Sequence, residues 1–351
     1  MKQNNKPILI AGPCSVESRE QLQQVTRELC AVPHVRLIRG GVWKPRTRPG
    51  GFEGIGEPAL QWMKELQESG LRFADNSPVR FCCEVASPEH VELCLRYGID
   101  SLWIGARTTT NPFMVEELAE ALRGTGTHVM VKNPLSPDVR LWLGAIERLS
   151  QVGLRHLAAI HRGFSMYNTQ SYRNAPLWEL PLLLRRSCPG LPILCDPSHI
   201  GGNSQLVEPL SLAAMQLEFD GLIIEVHPHP ANALTDGAQQ LTPADFKTLT
   251  DKLNTLLSQQ PTSSDTRLTP LRQQIDDIDH ELLRLLAQRM ELSCQIADVK
   301  RESQMTVYQA DRWNAVMDDR LQLASQLNLD ADFVKEMLEI IHRESVRVQM
   351  N

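Results

Sequence analysis

Eight short runs of β-branched and apolar residues, at 7–10, 35–39, 80–85, 101–105, 128–132, 156–160, 192–195 and 221–226, punctuate residues 1–260. Longer stretches with helical periodicity lie between them, among them 19–30, 58–69, 88–97, 112–123 and 137–151, and a last one covers 243–257. A strand, a helix and a second strand pair their strands in parallel. The crossover is right-handed, because a twisted strand lets the helix pack back onto the sheet in only one hand. Eight such units have the arithmetic of a closed (β/α)8 barrel. A doubly wound open sheet is the alternative. It uses fewer strands and often a GxGxxG phosphate loop, which this sequence lacks.

The pattern changes after residue 260. A polar, Pro- and Ser-rich stretch at 261–267 reads as a linker, and from 268 to 351 no strand signal remains. One helical pattern runs over 268–302, with Leu271, Ile275, Ile278, Leu282, Leu285, Leu292, Ile296 and Val299 recurring in steps of four and three. Arg289 interrupts this seam, and Lys300, eleven residues on, shares its face. Buried cations are costly unless they meet an anion. A helix about 50 Å long cannot cover its own seam within so small a domain, so a partner chain and a dimer are expected. A plain coiled coil is the bland alternative, and the buried cation argues against it. Two further helices are expected near 312–326 and 331–350, the last with Ser345 in its apolar stripe and Gln349 one turn beyond.

Composition excludes several classes. Charged residues are 22%, hydrophobic residues 42% and the net charge is −6, with no basic block to hold nucleic acid. No apolar run reaches the roughly 20 residues a membrane helix needs. The polar start resembles neither a signal nor a transit peptide, and strand one begins almost at once. A cytoplasmic protein with no regulatory domain ahead of the barrel is therefore expected. The eight cysteines form no CxxC pair, which argues against a zinc ribbon or a redox dithiol.

Polar residues cluster at the expected carboxyl ends of the strands, where barrel active sites gather. Arg39, Lys44, Arg46, Arg107, Lys132 and Arg162 put six cations around one rim. So many cations repel one another unless anions separate them, and phosphates and carboxylates match Arg bidentately. Cys14, His199, Glu225 and Asp236 make a second set, a mixed N/O/S group suited to a divalent ion that would polarise a carbonyl. His227 and His229 read either as ligands or as supporting groups. Taken singly, each of these has a plainer reading as solvated charge, core histidine or buried thiol.

The motifs Gly12-Pro-Cys-Ser, Ile38-Arg-Gly-Gly-Val-Trp-Lys-Pro-Arg-Thr47, Ile104-Gly-Ala-Arg107, His161-Arg-Gly, Asp196-Pro-Ser-His199, Ile224-Glu-Val-His-Pro and Ala233-Leu-Thr-Asp-Gly, with Lys132 after strand five, resemble 3-deoxy-D-arabino-heptulosonate 7-phosphate (DAHP) synthase of the short, core-barrel type. The resemblance implies condensation of phosphoenolpyruvate with erythrose 4-phosphate. Cys14, His199, Glu225 and Asp236 would hold a divalent metal, with manganese expected. Arg39, Lys44, Arg107, Lys132 and Arg162 would bind phosphoenolpyruvate, Arg46 and Thr47 the sugar phosphate, and Glu84 would lie near the reacting centre. Lys44 and Lys132 are the candidates for proton traffic. The segments after His161-Arg-Gly and around 48–52 depart from the commoner versions. The synthase that makes 3-deoxy-octulosonate 8-phosphate shares much of the pocket, but the run after Lys44 favours the four-carbon sugar. A Schiff-base aldolase using Lys132 is a third reading.

Residues 268–351 resemble the all-helical chorismate mutases through Leu268-x-x-Leu-Arg-x-x-Ile-x-x-Ile-Asp-x-x-Leu-Leu-x-Leu-Leu-Ala-x-Arg-x-Glu-Leu292, followed by Lys300, Asp311-Arg312 and Ser345-x-x-x-Gln349. The resemblance implies a three-helix, intertwined dimer that rearranges chorismate to prephenate. Arg272, Arg289 and Arg312 would grip the carboxylates, Ser345 would line the site, and Lys300 and Gln349 would donate to the ether oxygen. Trp313 stands where a Glu usually binds the substrate hydroxyl. The competing reading makes the tail a ligand sensor. The two overlap if prephenate bound there inhibits the barrel.

Overall fold

The computed structural model describes residues 7–44, 50–167, 171–258 and 267–350. In chain order the first unit runs β1 (Ile8–Gly12), α1 (Arg19–Cys30), β2 (Val35–Arg39), α2 (Glu57–Glu68), β3 (Phe81–Val85), α3 (Pro88–Arg96), β4 (Ser101–Ile104), α4 (Ala106–Thr109), α5 (Pro112–Leu122), β5 (His128–Lys132), α6 (Val139–Gln151), β6 (Leu157–His161), α7 (Glu179–Ser187), β7 (Ile193–Cys195), α8 (Pro197–Gly201), α9 (Val207–Gln216), β8 (Gly221–Glu225) and α10 (Pro243–Ser258). The strands pair in parallel in sequence order, and β8 closes on β1. The eight apolar runs are therefore the eight staves of a closed barrel.

Period-two alternation decides what faces the axis. Ile10, Leu37, Met130 and Leu194 line the amino-terminal end of the interior. Two residues further along the same strands stand Gly12, Arg39, Lys132 and, just past β7, Asp196. On β2, β5 and β7 an apolar side chain thus lies low in the barrel and a charged one at its mouth. Gly12 leaves room for this crowding: a Cβ there, at φ +150°, would sit 2.1 Å from the Arg39 carbonyl oxygen.

The helices wrap an outer apolar layer in which Leu22, Leu60, Leu118 and Trp142 are buried against the strands. Their starts are capped by side chains, Ser18 for α1, Ser87 for α3, Asn111 for α5 and Asp138 for α6, each accepting a backbone N–H of the first turn. His161, at the end of β6, lies fully buried among Trp142, Phe164, Trp178 and Phe219. That setting holds it neutral, because burial drops its pKa to about 3.

The second unit, residues 261–351, has helices joined by short turns and no strand among its described residues. It comprises α11 (Leu268–Glu302), α12 (Ala310–Gln326) and α13 (Ala331–Met350). The long helix has the bounds its periodicity dictates. Only Ser293 and Ala297 of its 35 residues are buried, while the seam residues are exposed, Ile278 by 60%. The expected linker falls almost wholly outside the described residues. Among the described residues no helix is long and apolar enough to cross a membrane.

The buried imidazole has a measurable consequence. Below its ordinary pKa of 6.5, His161 of the unfolded chain takes up a proton that the folded barrel refuses until about pH 3. Unfolding is therefore favoured increasingly as pH falls through that window. His128, lowered to about 4 mainly by burial, adds to the same slope. Urea titrations of wild type and His161→Phe between pH 7 and 4 should give a shallower loss of stability in the variant. Equal slopes would remove His161 as a source.

Candidate active sites

The barrel mouth is a network of buried charge. Arg39, 1% exposed, places Nη2 3.0 Å from Oε1 of Glu225, which is wholly buried. The Trp103 ring underlies both Arg39, at 5.1 Å, and the Lys132 ammonium, at 5.8 Å. Its indole N–H donates to Oε2 of Glu84 at 3.0 Å. Lys132 Nζ donates to Oδ2 of buried Asp196 at 2.8 Å. Burial raises the carboxyls of Asp196 and Glu225, but the facing cations and His199 outweigh it and bring both below the ordinary range. Arg162 is also buried. It donates through Nη1 to Asn174 Oδ1 at 2.8 Å, and burial lowers its pKa to about 10. Arg107, on α4, is exposed.

Ligand atoms of Cys14, Glu225 and Asp236 lie within 4.8 Å of one another. Cys14 Sγ is 3.4 Å from Asp236 Oδ2 and accepts from Lys44 Nζ at 2.9 Å. His199 approaches the same group from α8, its Nε2 3.7 Å from Glu225 Oε1. Its Nδ1 faces Asp196 at 2.8 Å, so the carboxylate holds that proton and leaves the Nε2 lone pair toward the cluster. Burial and then the Glu225 charge push the Cys14 thiol up to about 12. Asp236 goes the other way. Burial raises it, but Arg173, His199 and Lys44 bring it down to about 2.

The donor set fits a divalent ion. Glu225 Oε1 and the Nε and Nη1 of Arg39 are buried without a well-aligned hydrogen bond. Buried polar atoms in that condition are rare unless a ligand completes them. One thiol, two carboxylates and an oriented imidazole suit a borderline divalent metal, and the bare Arg39 edge suits an anion.

Several residues here were not singled out by sequence reasoning. Asp196 lies inside the Asp-Pro-Ser-His motif, so its signal was present, and its role comes from the i, i+3 reach to His199. Trp103 was legible from strand parity alone. Arg173 and Gln239 had no signal. Arg173 donates to Asp236 Oδ1 at 3.0 Å and to Gln239 Oε1 at 2.7 Å, and Gln239 donates to Glu225 Oε2 at 2.6 Å. Asn174 joins the same brace, its side-chain amide donating to the His199 carbonyl at 2.7 Å. Trp43 stacks on His90 at 3.8 Å, which anchors the segment carrying Lys44. His227 turns away from the cluster to Glu17, 3.5 Å from Nε2 to Oε2. Arg46 and Thr47 fall outside the described residues.

In the helical unit, Arg289 hydrogen-bonds Ser345 between α11 and α13. Lys300 Nζ donates to Gln349 Oε1 at 3.2 Å and to the Val307 carbonyl at 2.6 Å. Four of the six expected chorismate residues therefore form two pairs between α11 and α13. Arg272 and Arg312 are exposed, and none of these bonds reaches them.

Comparison with known proteins matches both units to known families. Residues 2–260 match the DAHP synthetase I family, and residues 271–350 match chorismate mutase type II. A phospho-2-dehydro-3-deoxyheptonate aldolase of Thermotoga maritima is 32% identical over 248 residues, covering 71% of this chain and 69% of that protein. A 2-dehydro-3-deoxyphosphooctonate aldolase of Nitrobacter winogradskyi is 29% identical over 273 residues, covering 71% of this chain and 88% of that protein. A crystal structure of the Thermotoga maritima DAHP synthase superposes with a TM-score of 0.63 at 32% identity, covering 73% of this chain and 70% of that one. A truncated form of that synthase gives 0.61 at 30% identity, covering 73% and 88%.

The barrel and the family matches define an aldol-type synthase followed by a helical isomerase domain. The chain belongs to the DAHP synthetase I family and carries a chorismate mutase type II domain after it.

Asp196 holds both Lys132 and His199, so its loss should loosen both. Asp196→Asn is expected to lower synthase turnover by about 10–100-fold, with weaker divalent-metal affinity, measured by metal titration of activity. Native affinity in that variant would show that His199 needs no such orientation.

Proposed function

We propose that the barrel condenses phosphoenolpyruvate and erythrose 4-phosphate with water, giving DAHP and phosphate, and that the helical domain rearranges chorismate to prephenate. The buried Glu225 oxygen beside Cys14 and Asp236, facing a bare Arg39 edge, carries the first half. It unites a metal donor set and an anion cradle in one pocket.

In this reading Cys14, His199, Glu225 and Asp236 hold a divalent ion, with Mn2+ as the expected one. Bound there, the ion would polarise the sugar aldehyde. Arg39, Lys44, Arg107, Lys132 and Arg162 hold the phosphate and carboxylate of phosphoenolpyruvate, and Arg46 and Thr47 bind the sugar phosphate. The enol carbon attacks the aldehyde carbon, water adds at the adjacent carbon, and phosphate leaves. Lys44 or Lys132 delivers the proton the new alkoxide takes. Both ammonium groups are held at the mouth, Lys44 by the Cys14 sulfur at 2.9 Å and Lys132 by Asp196 at 2.8 Å. Glu84, which accepts the Trp103 indole N–H, would lie near the reacting carbons.

In the helical domain, Arg272, Arg289 and Arg312 bind the two carboxylates, and Ser345 braces Arg289. Lys300 and Gln349 donate to the breaking ether oxygen. No covalent step is needed, only charge fixed in advance. The exposed seam of α11 supports a homodimer. A 35-residue helix with two buried residues has too little packing to persist alone. Prephenate in this domain acts as a feedback inhibitor of the barrel, and the protein works in the cytoplasm.

Product assays test the reading. Protein treated with EDTA should form no seven-carbon product, and Mn2+ should restore it. Cys14→Ser should cost at least about 100-fold in turnover. Faster reaction with arabinose 5-phosphate than with erythrose 4-phosphate would reassign the barrel to eight-carbon synthesis. Trapping of substrate on Lys132 by borohydride would replace the metal mechanism.

Prephenate titrated into the synthase assay of the full chain should lower its rate in a saturable way. Rates that stay flat would remove the feedback reading.

A further inference from the structure

The helical site holds a polar group that sequence reasoning assigned no role. His342 lies on α13 three residues before Ser345 and seven before Gln349, so all three share one face of that helix. The Trp313 ring of α12 stacks on the imidazole, with centroids 3.9 Å apart and planes 21° from parallel, and Tyr308 meets its edge at 6.0 Å. The ring is thereby fixed in position. Its Nε2 is buried and makes no hydrogen bond.

The neighbours say what that atom is for. Arg289 and Lys300 only donate. Ser345 Oγ accepts from Arg289 and donates to the Ile341 carbonyl, and Gln349 Oε1 accepts from Lys300. Among these groups His342 Nε2 is the buried acceptor that makes no hydrogen bond at all. Burial, and then the charges of Arg289 and Lys300, lower its pKa, so the ring stays neutral and can accept. A substrate with two carboxylates, an ether and a hydroxyl finds donors for the first three. Its hydroxyl proton needs an acceptor, and Trp313 offers none.

We propose that His342, clamped by Trp313, accepts the hydrogen bond of the substrate's ring hydroxyl and so sets specificity for hydroxylated over deoxy substrates. This rests on the reading of the domain as a chorismate site.

The test uses the full chain, with chorismate and its analogue lacking the ring hydroxyl. His342→Phe keeps the stack on Trp313 and removes the nitrogen. Its kcat/KM on chorismate should fall at least about tenfold, while on the deoxy analogue it should change less than about twofold. His342→Gln, which regains an acceptor, should recover part of the loss. If the Phe variant loses helical circular dichroism, His342→Leu takes its place in the same comparison. Unchanged kcat/KM on chorismate would overturn the proposal, and so would equal losses on both substrates, the mark of a purely structural role. Wild-type protein that neither binds nor rearranges chorismate would instead sink the reading of the domain, and this proposal with it.

Discussion

The Arg39–Glu225 pair is the constraint around which the barrel mouth is built. Both side chains are out of water, and removing one of two such charges strands the other at a cost of about 3–5 kcal/mol. The neighbours read as answers to that cost. Trp103 supplies a π face under the guanidinium, and Gln239 satisfies the second Glu225 oxygen. Even so, Arg39 Nε and Nη1 and Glu225 Oε1 lack aligned partners. A protein that keeps such atoms buried has traded folding stability for a site ready to receive charge.

Most of this architecture was legible in the sequence, for identifiable reasons. Apolar strands in a barrel are buried on both faces, so they stand out as runs, and all eight fell within a residue or two of their observed positions. The polar residues ending those runs were legible because alternation continues past the last strand residue. Arg173 and Gln239 were not legible, since their convergence on Asp236 and Glu225 depends on the paths of two loops rather than on any period. His342 illustrates a different blind spot. A histidine on a mixed helix face looks ordinary until Trp313, from another helix, is seen lying flat against it.

The two units solve the problem of placing cations in different ways. In the barrel, Lys132 meets Asp196 and Arg39 meets Glu225, so each is matched by a carboxylate that the fold itself buries. In the helical unit, Arg289 and Lys300 are held by neutral partners, Ser345, Gln349 and a backbone carbonyl. Among the described residues no carboxylate pairs with either, which is the condition for attracting a dianion. The barrel mouth combines both arrangements, because Arg162 rests on the neutral Asn174.

Asn174 and Arg173 are adjacent in one loop, yet they serve different parts of the mouth. Asn174 fixes the Arg162 guanidinium and the His199 carbonyl, while Arg173 fixes Asp236 and, through Gln239, Glu225. Two neighbouring side chains thus tie Arg162 and the Cys14, Glu225 and Asp236 cluster to a single stretch of backbone. A shift in that stretch reaches both at once. With the mouth acting as proposed, natural variation in this loop should retune the affinities for ion and anion jointly, and a sequence drifting toward a different metal would carry its phosphate affinity along with it.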